Sequence, residues 1–302
     1  MRKTKRFDPA LIRRWLASAR GIGRDNDYEP WHQVTRSDPS SRGRSHLTIL
    51  PGAHRYTHTL SDNEQHSLLF ILMLPNVRDI LEQLPLAREE AVHELSRYVA
   101  SYCASRFPGT LQIAGELGIK HPTVRKGSDR EAWVSTTDFF ILFEVDGRHS
   151  VLCVADKLAG DMRNKRTMQL MKLEREYWQR RNVDWLLLTP ELYDRRVALT
   201  LSRTAAWALD ANRSSQNDRR NCSQIAKSMQ GYPLQMLWAE LHLELGLDLE
   251  HAQRAFWQSV WRGETPLDLR RGWRASEPIT ILSAHEFLDL NPLAARRTAW
   301  MS

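Results

Sequence analysis

Residues 134–157 have the sequence VSTTDFFILFEVDGRHSVLCVADK, which is the pattern of a β-hairpin. Residues 134–145 are rich in β-branched and aromatic side chains, and Asp146-Gly147 favours a tight turn. An apolar run then resumes at residues 151–157. We therefore predict a hairpin within a domain that contains both strands and helices.

Helices and further strands are predicted on both sides of the hairpin. Ser61 can cap the free amides at a helix start, Glu64 at the third position can close a capping box, and Pro75-Asn76 ends this helix. The other predicted elements are a strand at 77–84, a helix at 88–107, a helix at 162–181 and a buried strand at 183–189. Residues 53–190 are thus predicted to form one mixed α/β domain.

Residues 1–52 differ in composition from this domain. Residues 1–20 predict a short basic amphipathic helix, whose alternative is a helix packed on the body of the protein. Residues 21–52 are rich in Gly, Ser, Pro, Asp and Arg without sustained periodicity, which predicts an irregular connection that orders against DNA or a partner. The basic side chains of this connection are Arg36, Arg42 and Arg44.

Residues 191–302 predict a mainly helical domain. An Asn/Arg/Ser-rich stretch at 212–221 predicts a loop, and helices are predicted at 234–245 and 248–261, on either side of a tight turn at Gly246. A basic stretch and a strand-like run at 278–282 follow. This order of elements is compatible with a winged helix.

Composition bounds the class of protein. The chain has 302 residues, a formal net charge of +7 and a sequence pI of about 9.5, which favours a polyanionic partner, although a solvated positive surface explains the charge equally well. Cys103, Cys153 and Cys222 lie far apart, which argues against a zinc site or a disulfide framework. No apolar run is long enough for a transmembrane helix, so we expect a cytoplasmic protein without membrane contact.

The hairpin also brings together residue types that suit phosphodiester hydrolysis. Asp138 starts one strand and Lys157 ends the next, so the two side chains can come close across the sheet, and Glu64 can complete the site. Converging carboxylates hold the divalent cation that such hydrolysis needs. Acids and lysines at strand ends are also commonly solvated surface groups, and this alternative stays open on spacing alone.

Several ordered motifs resemble the TnsA family, the endonuclease subunits of heteromeric bacterial cut-and-paste transposons. The resemblance covers roughly residues 54–189. The matching segments are HTLSDNE at 58–64, DILEQLPL at 79–86, IKHP at 119–122, STTDF at 135–139, KLEREYW at 172–178 and VDWLLLT at 183–189.

This resemblance implies a restriction-endonuclease-like core, a mixed sheet flanked by helices, followed by a winged-helix domain. It also implies a nuclease that uses Mg²⁺, with Mn²⁺ as a substitute, to cut transposon-end DNA at the 5′ ends of the element. Its implied partners are a DDE-type, TnsB-like transposase subunit and an ATP-dependent, TnsC-like regulator. Carried over by position, Glu64 and Asp138 match the metal-binding acids and Lys157 matches the catalytic lysine.

Position 155 departs from the family pattern. The family has Gln two residues before the lysine, where this chain has Ala155. Strand side chains alternate, so Asp156 is expected on the opposite face unless a β-bulge turns it inward. The backbone carbonyl of Ala155 or Asp156 is the other candidate ligand. One alternative is therefore a weakened site in an assembly subunit that bridges transposase, regulator and DNA. A more distant alternative, a free-standing nuclease of restriction type, is disfavoured because the sequence shows no independent sequence-reading module beyond the winged helix.

Further residues are candidates for DNA contact or for structure. His121 is a candidate DNA contact, and Lys165 and Arg166 lie where a phosphate can be held after the second hairpin strand. Glu174 and Glu176 alternate with basic residues along the 162–181 helix, which predicts a solvated face with i,i+4 ion pairs. Glu82 and Gln83 are interpreted as structural and stay outside the predicted site.

Overall fold

The computed structural model of the protein describes residues 7–36, 38 and 44–300. Arg42, one of the predicted basic points, lies outside the described residues. The strands are β1 His46–Ile49, β2 Tyr56–Thr59, β3 Val77–Pro85, β4 Ala91–Val92, β5 Arg106–Phe107, β6 Thr123–Lys126, β7 Asp129–Ala132, β8 Thr136–Val145, β9 Arg148–Asp156 and β10 Asp184–Leu188. The α-helices are α1 Pro9–Leu16, α2 Asp62–Ile71, α3 Thr110–Glu116, α4 Lys165–Gln179, α5 Arg195–Ala208, α6 Gln216–Ser228, α7 Leu234–Leu245, α8 Leu249–Trp261 and α9 Ala284–Asp289.

The protein is a mixed α/β structure whose chain divides into two compact units. The first unit comprises Met1–Ile49, Ala53–Gln65 and Asn76–Leu187, and the second comprises Leu50–Gly52, His66–Pro75 and Leu188–Ser302. Among the described residues, no helix is both long and apolar enough to cross a membrane.

A four-stranded sheet in the order β10-β9-β8-β3 contains the predicted hairpin. Strand β8 pairs antiparallel with β3 on one side and with β9 on the other. Asp146 and Gly147 both have positive φ, the conformation of the tight hairpin turn that this dipeptide favours. The predicted hairpin, the strand at 77–84 and the buried strand at 183–189 are therefore confirmed.

The central strands are buried on both faces, because the whole apolar run Phe139 to Leu142 is shielded from solvent. Helix α4 covers one face of the sheet through Trp178, whose ring centroid lies 5.8 Å from that of Phe140. The predicted helix at 162–181 is confirmed as α4, which begins after the N-cap Asn164.

The N-terminal segment packs on the first unit, contrary to the expectation that it orders only against a partner. Ile12 and Trp15 of α1 are buried with Trp31, and the Trp15 and Trp31 rings make an edge-to-face contact. The Trp31 amide donates to the Gln83 carbonyl, and Arg20 pairs with Asp38. Aromatic burial thus orders the described part of a segment that has no periodicity of its own.

The predicted helix at 88–107 is wrong. The chain there forms β4, two short 3₁₀ turns at Glu94–Arg97 and Ala100–Cys103, and β5, which pairs with β4. Buried Glu94 accepts a hydrogen bond from the Tyr177 hydroxyl and pairs with Arg181. These contacts with α4 and with the residues directly after it fix the segment in short turns and override its helix propensity.

Two predictions about the second unit need correction. The predicted loop at 212–221 ends in helix α6, because the Ser215 hydroxyl caps the Asp218 amide and the helix buries Cys222 and Ala226. Within the described part of the chain, the strand-like run at 278–282 forms isolated bridges to Pro233 and Leu267 but no extended ladder. Helices α7 and α8, with Gly246 in the left-handed conformation, are confirmed, while the winged-helix arrangement stays a prediction.

Candidate active site

The three predicted catalytic residues meet at one end of the central sheet. Asp138 lies near the start of β8, Lys157 directly follows β9, and Glu64 is in the first turn of α2. Lys157 Nζ is 3.4 Å from Asp138 Oδ2. The Asp138 and Glu64 carboxylates are joined through the side-chain amide of Gln83. The structure thus brings together residues that are far apart in the sequence.

Gln83 belongs to this cluster, although its sequence position indicated only a structural role. Its Nε2 donates to Glu64 Oε2 at 3.2 Å and to Asp138 Oδ1 at 3.1 Å. The residue is 2% exposed and has a φ of 50°, in the left-handed region. The signal available in the sequence was the polar Glu82-Gln83 pair, which interrupts the apolar residues in the second half of the strand.

Glu64 is held at the helix start by the Ser61 side chain and the Leu60 amide, and its carboxylate bonds one residue before the N-cap amide that the predicted capping box would use. Its amide donates to Ser61 Oγ at 3.2 Å, and its Oε2 accepts from the Leu60 amide at 2.8 Å. Burial, followed by the charge of Asp138, raises the pKa of Glu64 to about 8. The same carboxylate therefore holds the start of α2 and lies near Asp138, and its role as a metal ligand stays a prediction.

The end of β9 fixes the orientation of Asp138 and Lys157. The Asp156 amide donates to Asp138 Oδ2 at 2.7 Å, and Lys157 Nζ donates to the Asp156 carbonyl at 2.7 Å. Burial alone would lower the pKa of Lys157, but Asp138, Glu174, Asp156 and Glu64 raise it above its usual value. The lysine is therefore held as a cation.

Ala155 is fully buried and carries no side-chain atom that could bind a cation. Asp156 is also buried, and its carbonyl is engaged by Lys157. The backbone carbonyl of Ala155 stays a predicted ligand of the cation. Asp156 contributes to the site through its backbone amide and carbonyl.

Glu174 is a buried acid behind the site, and its assignment to a solvated helix face is wrong. It is 4% exposed and accepts hydrogen bonds from Thr137 Oγ1 at 2.6 Å and from Trp185 Nε1 at 3.1 Å. Burial, followed by the charge of Asp138, raises the pKa of Glu174 to about 7. The predicted i,i+4 ion pair is present at Glu176, which pairs with Arg180.

Thr137 links this acid to the core of the sheet, so its hydroxyl should matter for stability. It donates to Glu174 and accepts from Trp178 Nε1 at 2.6 Å. We expect Thr137→Val, which keeps the shape, to lower the free energy of unfolding by about 1–3 kcal/mol, because buried polar groups lose their partner. Urea unfolding measures this loss. The exposed Thr123→Val should change stability by less than about 0.5 kcal/mol, and equal effects at both positions would contradict the assigned role.

The residues predicted to contact DNA are His121, Lys165 and Arg166. Among the described residues, the hydrogen bonds of His121 and Arg166 go to residues other than Glu64 and Asp138. His121 is half-buried, and its ring nitrogens contact the Pro122 carbonyl and Thr110 Oγ1. Arg166 Nη2 donates to the Lys120 carbonyl at 2.6 Å. Lys165 is exposed at the start of α4. His121 and Arg166 therefore link the 119–122 segment to neighbouring elements, and their roles in DNA binding stay predictions.

The side-chain donors at this site bear on whether it can hold a divalent cation. Among the described residues, no group of three or more His, Cys, Asp and Glu side chains could hold a metal ion. Two carboxylates and one amide do converge, and oxygen donors of this kind suit Mg²⁺. Burial and the charge of Asp138 disfavour the ionised form of Glu64, and a cation between the two carboxylates would relieve this repulsion. The residues present therefore fit a divalent cation held by Glu64 and Asp138.

Comparison with known proteins shows similarity to TnsA-like endonucleases. The family model for the N-terminal domain of TnsA-like endonucleases matches residues 75–190. The chain is also 31% identical over 201 residues to the transposon Tn7 transposition protein TnsA of Escherichia coli. That similarity covers 67% of this chain and 63% of the relative, so the chain spans less than two thirds of the relative's length. The chain therefore contains a TnsA-like endonuclease domain, and these two similarities support a TnsA-type subunit.

Proposed function

We propose that this protein is a metal-dependent DNA endonuclease that cuts the 5′ ends of a transposon during cut-and-paste transposition. The observation that carries the proposal is the cluster of Glu64, Asp138 and Lys157. Asp138 and Lys157 lie within the region that matches a TnsA-like endonuclease domain, and Glu64 precedes it. We further propose that the core is restriction-endonuclease-like and that a winged-helix domain follows it.

The residues of the cluster have distinct roles in this proposal. When bound, Mg²⁺ would activate a water molecule and neutralise charge on the scissile phosphate. Glu64 and Asp138 would hold the cation. Lys157, whose pKa the surrounding acids raise, would donate to the phosphate oxygens and stabilise the charge that develops there.

The proposed partners are transposon-end DNA, a TnsB-like transposase of the DDE type and a TnsC-like, ATP-dependent regulator. The net charge of +7 and the exposed Lys165 favour contact with DNA phosphates. The Escherichia coli relative is a transposition protein by name, which supports a role inside a transposase complex. We expect such a complex to act in the cytoplasm.

The second candidate function is an assembly subunit that bridges transposase, regulator and DNA without cutting. Ala155 favours it, because the strand position two residues before Lys157 has no side-chain ligand.

A cleavage assay separates the two functions. We would measure nicking of 5′-end-labelled transposon-end DNA by the complete transposase complex, with Mg²⁺ or with EDTA, for the wild type and for Ala155→Gln. We expect Mg²⁺-dependent nicking by the wild type, with Ala155→Gln within about threefold of it. A silent wild type whose activity appears only in Ala155→Gln would instead establish the assembly subunit.

A further inference from the structure

The side-chain amide of Gln83 occupies the space between the two acids of the site. Its Nε2 is 3.2 Å from Glu64 Oε2 and 3.1 Å from Asp138 Oδ1. Its Oε1 accepts a hydrogen bond from Thr136 Oγ1 at 3.2 Å. The end of this side chain therefore contacts both carboxylates and a hydroxyl group.

These distances match those between neighbouring ligands of one cation. Octahedral Mg²⁺ binds oxygen at about 2.1 Å, so adjacent ligand atoms lie about 3.0 Å apart. The terminal amide atom of Gln83 lies at nearly this spacing from one oxygen of each carboxylate. The terminal amide atom from β3 is thus already within ligand spacing of one carboxylate oxygen from α2 and one from β8.

Rotation of the amide by half a turn would place an oxygen where Nε2 now lies. The rotation would turn Nε2 toward Thr136 Oγ1, and a hydroxyl can accept a hydrogen bond as readily as it donates one. Gln83 can therefore donate to the two acids without a cation and present Oε1 with one, while Thr136 keeps a hydrogen bond in both orientations.

The backbone holds Gln83 in an uncommon conformation that serves this arrangement. The residue lies between the paired positions Glu82–Phe139 and Leu84–Thr137, and its φ of 50° interrupts the ladder there. Its carbonyl accepts from the Trp31 amide at 3.2 Å. Left-handed backbone at a residue other than glycine is strained and persists where surrounding contacts impose it, often at functional sites.

We propose that Gln83 is a third ligand of the catalytic cation, through its side-chain Oε1. This inference rests on the proposed nuclease function. In this chain the amide ligand would come from Gln83 on β3. The β9 position that shares a strand face with Lys157 is Ala155, which has no amide.

Cation affinity tests the proposal without DNA or catalysis. Calorimetric titration of the purified full-length chain with Mn²⁺ would compare the wild type with Gln83→Met and Gln83→Asn. Methionine keeps the length without the amide, and asparagine keeps an amide that is too short and suits positive φ. We expect both variants to weaken Mn²⁺ binding roughly 10- to 100-fold. The exposed Gln112→Met on α3 is the matched control and should bind as the wild type does.

A second substitution separates ligation from an indirect packing effect. Ala155→Gln should restore most of the Mn²⁺ affinity of Gln83→Met and add little to the wild type, because one amide oxygen then replaces the other. Equal effects of Ala155→Gln in the two backgrounds, or no rescue, would overturn a ligand role for Gln83.

The remaining outcomes distinguish this inference from the proposed function. Unchanged Mn²⁺ affinity in both Gln83→Met and Gln83→Asn would overturn the inference alone. No Mn²⁺ binding by the wild type would overturn the proposed metal-dependent nuclease itself, and the inference with it.

Discussion

Asp138→Asn is expected to reduce 5′-end cleavage at least about 10³-fold, the largest effect on activity that we predict. Both oxygens of Asp138 are used: Oδ1 accepts from Gln83, and Oδ2 accepts from the Asp156 amide and lies beside Lys157. Asparagine keeps the volume but offers one oxygen and no charge. A cation held by Glu64 would therefore lose its second carboxylate.

The measurement is the rate of 5′-end nicking in the reconstituted transposase complex. The matched control is Asp146→Asn at the exposed turn of the same hairpin, where φ is positive and asparagine is well tolerated. We expect the control to cut like the wild type. Cleavage by Asp138→Asn within about threefold of the wild type would exclude Asp138 from the site.

The largest effect on stability is expected for Arg55→Met. Arg55 Nη1 lies 2.8 and 2.9 Å from the two oxygens of Glu82, which is fully buried, and Arg55 Nη2 donates to the Ile80 carbonyl at 2.7 Å. Removing one partner of a buried ion pair leaves the other charge without compensation. We therefore expect a loss of about 3–5 kcal/mol in the free energy of unfolding.

The loss should depend on pH in a defined direction. Burial already raises the pKa of Glu82 above 4.5, and Arg55 opposes this increase. Without Arg55 the pKa of Glu82 in the folded state rises further, so folding favours the protonated carboxyl. The stability deficit of Arg55→Met should therefore be small near pH 4.5 and grow as the pH rises through the folded-state pKa.

Urea unfolding at about pH 5 and about pH 8 would measure this difference. Arg55→Met combined with Glu82→Leu should recover part of the lost stability, since no buried charge then remains. The exposed Arg130→Met is the control and should change stability by less than about 0.5 kcal/mol. A pH-independent deficit in Arg55→Met would show that Glu82 is not the group left uncompensated.

Most of the sheet could be predicted because its signals are local. The Asp146-Gly147 turn, the apolar run before it and the amphipathic pattern of α4 each specify an element from neighbouring residues. The error at residues 88–107 has the opposite origin. Glu94 is held there by Tyr177 and Arg181, which are distant in the sequence.

The amino-acid sequence by itself determined the hairpin, the helix that covers it, and the acids and lysine that resemble a nuclease site. Only the tertiary structure decided that Gln83 joins Glu64 to Asp138 and that Glu174 is buried behind them. The physical reason is that element type follows from side-chain periodicity along the chain. Convergence depends instead on strand register, on one residue with positive φ, and on which face of α4 packs against the sheet.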